Sequence, residues 1–99
     1  MMKAMISQPM AGKTDEEIRA ERDSLKQNIE SRGFEVVDTI FDLDVPPKEA
    51  PLRYMAKSIE AMASCDVVFF APGWQHARGC LVERTVASMY GLEVVDVLN

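Results

Sequence analysis

Four short apolar runs alternate with three stretches of helical periodicity along 99 residues, and that alternation constrains the fold more than any other feature of the chain. Ala4-Met5-Ile6, Phe34 to Asp38, Val67 to Ala71 and Glu93 to Val97 read as strands. Between them lie a helix opening after Thr14 and closing at Gly33, a helix carried by Leu52 to Ala63, and a helix from Cys80 to Tyr90. A βαβαβαβ order needs right-handed crossovers, hence a parallel sheet with helices on both faces. The simplest arrangement is a small flavodoxin-like, Rossmann-like α/β domain over residues 1–99, with the first and third strands side by side. No internal repeat or linker divides it.

Local signals sharpen the element boundaries. Thr14-Asp15-Glu16-Glu17 has the pattern of a capping box. The helix it opens shows a narrow apolar stripe of Ile18, Leu25 and Ile29, with Arg19, Glu21, Arg22 and Lys26 assigned to solvent, and Gly33 suits its left-handed stop. Thr39 to Pro51 is a loop rich in Asp and Pro. Leu52, Met55, Ala56, Ile59, Met62 and Ala63 then form the clearest amphipathic helix of the chain. The last helix is apolar on more than one side, through Leu81, Val82, Val86, Ala87 and Met89. A domain this small has little core to spare, so a homodimer or higher homo-oligomer is expected.

Composition excludes several classes of partner. With 11 basic against 16 acidic side chains, the net charge of −5 disfavours nucleic acid and anionic membranes, which need a basic surface. The chain has neither an apolar run of membrane-spanning length nor a charged-then-apolar leader, so a cytoplasmic location is expected. Cys65 and Cys80 lack metal-type spacing and read as reduced thiols. No metal and no other cofactor is expected. A small ligand or another protein fits better.

Parallel α/β sheets bind ligands beyond the carboxyl ends of their strands, where the chain reverses direction from the first strand. Adjacency of the first and third strands brings Ser7-Gln8-Pro9-Met10-Ala11-Gly12 against Pro72-Gly73-Trp74-Gln75-His76-Ala77-Arg78-Gly79. Ser7 and Gln8 offer a hydroxyl and an amide to a sugar or phosphate, and Gly12 allows close backbone approach. The competing reading is a tight turn shaped by Pro9 and Gly12. Trp74 can stack on a base or cap the core. Arg78 can grip a phosphate or pair with the acidic helix. His76, Asp42 and Asp44 are the candidate proton donors, and Asp66 starts its strand at the opposite edge, away from them. Glu83 is assigned to the first turn of the last helix, where amides and the macrodipole favour an ionised carboxylate. Ser7 to Thr14 also looks like a phosphate-binding P-loop with its first glycine replaced. Pro9 removes a needed backbone donor, and Asp15, Glu16 and Glu17 repel anions there.

Ile6-Ser7-Gln8-Pro9-Met10-Ala11-Gly12, and Gly73-Trp74 through Arg78-Gly79 to Glu83 followed by Tyr90-Gly91, resemble the first and last loops of a known group. These are small bacterial and phage proteins related to nucleoside 2-deoxyribosyltransferases. The resemblance implies a site for a nucleoside or nucleoside monophosphate, with Ser7, Gln8, Pro9, Met10, Gly12, Gly73, Trp74, Arg78 and Gly79 around the substrate. It further implies that Glu83 is the nucleophile that takes the sugar at C1′ and releases the base, to water or to a second base. Characterised transferases carry a tyrosine where this chain has Met5 and Ile6, and an acid where it has Lys57 and Ser58. The alternative is a non-catalytic module of the same fold that binds a nucleotide-like ligand or a protein partner.

Overall fold

A computed structural model describes residues 1–98. The elements run β1 (Lys3–Ser7), α1 (Asp15–Ser31), β2 (Glu35–Val36), α2 (Ala50–Met62), β3 (Val67–Phe70), a 3-10 turn (Trp74–His76), α3 (Arg78–Met89) and β4 (Glu93–Asp96). All strand pairs are parallel, in the order β2-β1-β3-β4. The first and third strands are therefore neighbours, in the register Ala4 to Val67 through Ser7 to Phe70. This is the flavodoxin-like arrangement that the alternation implies, and its switch point falls between the ends of β1 and β3.

Alternation along β1 and β3 divides the core into two layers. Ala4, Ile6, Val67 and Phe69 face α1, where Leu25 and Ile29 cover them. Met5, Val68 and Phe70 face the other way, against Met62 of α2 and Cys80 and Ala87 of α3. Asp66, at the amino end of β3, accepts the Lys3 N–H at 2.8 Å, which keeps it at the edge away from the ligand side. Both cysteines are buried and neither is in a disulfide. Among the described residues no helix is long and apolar enough to cross a membrane.

Four local features differ from the sequence reading. β2 is only two residues long; beyond it the Asp38 carboxylate accepts the Ile40 N–H at 2.9 Å and turns the chain away from the ladder. Arg22 is not solvated: it lies on the α1 stripe between Ile18 and Leu25 and is 8% exposed. Glu21 is half-buried beside it. α3 begins at Arg78, because Ala77 is extended and its carbonyl already accepts the Leu81 N–H at 3.0 Å. Glu83 consequently stands in the second turn, beyond the reach of the first-turn amides.

A candidate ligand pocket at the switch point

The loop after β1 is shaped locally. Lys13 N–H donates to Met10 C=O at 3.2 Å, closing a β-turn, and Gly12 takes the left-handed φ of +78° that this turn needs. The turn directs Pro9 and Met10 toward a cavity of about 580 Å³, within the range typical of small-molecule sites. The loop after β3 and the start of α3 supply His76, Arg78 and Gly79, and Glu83 reaches the same space from the second turn. The opposite wall comes from the β2–α2 loop and the first turns of α2, through Thr39, Phe41, Pro51, Tyr54, Met55 and Ser58.

Glu83 is the only carboxylate in that lining among the described residues, and it is 8% exposed. Its Oε1 accepts the Ser7 hydroxyl at 2.8 Å, which joins the end of β1 to α3. Burial pushes the Glu83 carboxyl above its ordinary value; the hydroxyls of Ser7 and Ser58 and the charge of Arg22 pull in the opposite direction. Burial likewise raises the Cys80 thiol, one turn back, so Cys80 is a protonated core side chain. What the pocket offers is one desolvated carboxylate held by the Ser7 hydroxyl, apolar and aromatic side chains of the β2–α2 loop and α2, and the exposed cation of Arg78.

The expected site residues divide accordingly. Gln8, Pro9, Met10, His76, Arg78, Gly79 and Glu83 come together around the cavity. Ser7 lies beneath it as the partner of Glu83 rather than at the surface. Gln8 is 7% exposed and donates to Ile18 C=O at 2.8 Å and to Glu21 at 2.9 Å, so its amide ties the loop to α1. Gly12 and Gly73 shape turns outside the lining. Trp74 is also outside. The Arg84 guanidinium sits 3.9 Å from its ring centre, and Arg84 is held in turn by Asp96 at 2.6 Å. Asp42 and Asp44 are exposed and absent from the lining.

Periodicity left Phe41, Tyr54 and Ser58 unassigned as site residues. Their one signal is that Tyr54 and Ser58 are four residues apart on α2, a spacing that puts both on one helix side. Lys57, next to Ser58, instead lies 3.8 Å from Glu60 on the surface. Among the described residues no three His, Cys, Asp or Glu side chains are grouped to hold a metal ion.

Fold and pocket together define a small parallel α/β domain with, among the described residues, a single buried carboxylate at its switch point. The chain belongs to the family described as Domain of unknown function (DUF4406), which matches residues 2–96. No curated protein and no solved structure matches it.

Proposed function

We propose that the pocket binds a nucleoside or nucleoside monophosphate and that Glu83 acts on its N-glycosidic bond. The observation that carries this reading is the buried Glu83 carboxylate held by Ser7 at 2.8 Å and facing a cavity large enough for such a ligand. Phe41 and Tyr54 give a flat base an aromatic wall, a role that Trp74, covered by Arg84, does not fill. Arg78, exposed at the mouth, suits a 5′-phosphate. A Glu83 oxygen forms an ester bond to C1′ while the C1′–N bond breaks. Its electron pair leaves with the base nitrogen, which takes a proton from His76 or water. Water then hydrolyses the ester, or the nitrogen of a second base displaces it and regenerates the carboxylate.

One observation favours the non-catalytic reading: among the described residues the lining holds no second carboxylate, and Asp42 and Asp44 lie outside it. Glu83→Gln separates the two. It keeps the shape and the acceptor for Ser7 but removes the attacking charge. With a panel of nucleosides and monophosphates, wild type is expected to release free base, and the variant to bind but react roughly 1,000-fold more slowly or worse. Intact-mass measurement of wild type is expected to show a glycosyl adduct that the variant lacks. Ligand binding without base release by wild type would establish the binding module.

A further inference from the structure

Arg22 occupies a position that an aliphatic side chain would complete. It follows Ile18 by four residues and precedes Leu25 by three, so it lies on the buried side of α1. Among the described residues no carboxylate lies within ion-pair distance of it. Burial disfavours its charge, while the carboxylates of Asp38, Glu83 and Asp23 favour it from farther away. A guanidinium nonetheless stays protonated, so the fold carries a desolvated cation with little direct pairing. Its Nη2 donates to the Thr39 hydroxyl at 2.5 Å.

Thr39 is where the ligand pocket's far wall begins. Between β2 and α2 the chain has no regular hydrogen-bonded structure until the turn leading into α2, yet it holds Phe41 at the cavity. Two side chains anchor this segment to helices. Arg22 of α1 holds Thr39, and Tyr54 of α2 accepts the Leu43 N–H at 3.2 Å. Phe41 lies midway between the two anchors. Ile40, next to the first anchor, has its N–H tied locally to Asp38. We propose that Arg22 is a positioning residue for the pocket: by holding Thr39 from α1 it fixes the wall segment that presents Phe41, and so sets ligand affinity without touching the ligand. The part of this inference that concerns ligand affinity rests on the nucleotide reading above; the part that concerns the wall does not.

Amide hydrogen exchange of Ile40 and Leu43, measured on the full chain, tests the wall directly. Arg22→Leu fills the stripe with an apolar side chain, and Thr39→Val keeps the shape of the acceptor while deleting its hydroxyl. Each is expected to accelerate exchange at both amides by roughly 10-fold or more, with exchange in the β1 and β3 core unchanged. The double variant is expected to exchange no faster than the faster single variant, as two ends of one bond require. Adenosine and thymidine monophosphates are then titrated, and Arg22→Leu is expected to bind roughly 10-fold more weakly than wild type. Unchanged exchange in Arg22→Leu, or additive effects in the double variant, overturns the proposal. If Arg22→Leu does not fold, Thr39→Val alone decides, and unchanged exchange there is equally fatal. Should wild type bind neither monophosphate, the nucleotide reading fails while the exchange result still decides whether Arg22 holds the wall. Loosened exchange with unaltered affinity overturns the link from wall to ligand.

Discussion

Glu83 is a residue whose chemistry and stability pull in opposite directions. Its folded-state carboxyl titrates above the ordinary 4.5, first because of burial, so between 4.5 and that raised value the folded chain binds more protons than the unfolded chain. Stability contributed by the neutral acid is present below this window and lost as pH rises through it. Glu83→Gln is therefore expected to melt at a higher temperature than wild type at neutral pH, with the two converging well below 4.5; thermal scans across pH check this. A lower melting temperature at neutral pH would show that the ionised group is stabilising. Ser7→Ala, which removes the donor 2.8 Å from Glu83, is expected to destabilise at neutral pH. The loss should be about 1.5–3 kcal/mol, the range for hydrogen bonds to charged groups. Arg78→Ala should leave nucleoside affinity nearly unchanged and weaken monophosphates about 10-fold, read by calorimetric titration, because only the latter present an anion at the mouth. Equal losses for both ligand types would remove Arg78 from the phosphate role.

At the scale of elements, α1 is specified most locally. Both halves of its capping box form: Glu17 N–H donates to Thr14 Oγ1 at 3.1 Å, and the Glu17 carboxylate accepts the Thr14 N–H at 3.0 Å. Thr14→Ala is expected to cost about 1 kcal/mol in denaturant unfolding, with the site itself intact. That cap, the four strands and the adjacency of β1 and β3 were legible in the sequence because each depends on neighbours in the chain or on strand order. What depends on tertiary placement was not. Arg22 and Lys26 look alike in a periodicity plot, but only Arg22 meets a loop returning from β2. Trp74 is the more conspicuous aromatic, whereas Phe41 reaches the pocket on a loop whose path no period encodes, and Tyr54 reaches it from the α2 helix that this loop leads into. The start of α3 is not readable from propensity because Gly79, a poor helix former, sits in its first turn, and the extended Ala77 sets where that turn begins.

The molecule as a whole leaves apolar surface unpaired. α2 is strongly amphipathic, yet of its stripe only Met62 is buried, and Leu52 remains 79% exposed. Ile59, Met62 and Ala63 face Val86, Tyr90 and Leu92 across an apolar cleft of about 370 Å³. The homo-oligomer expected from the sequence would cover this side. Sedimentation at micromolar concentration is expected to give a dimer, and paired Ile59→Ser and Tyr90→Ser changes to give a monomer. A wild-type monomer would leave the cleft to another partner. On the opposite flank of α3, Arg84 lies between the Trp74 ring and the Asp96 carboxylate, so the last loop, the last helix and the last strand meet at one cation. Trp74 is the chain's one tryptophan, which makes its fluorescence a gauge of that clasp rather than of pocket occupancy. Emission should track the detachment of β4 and α3 during unfolding and stay nearly silent as the neighbouring cavity fills, so an optical assay of ligand uptake needs a chromophore introduced elsewhere.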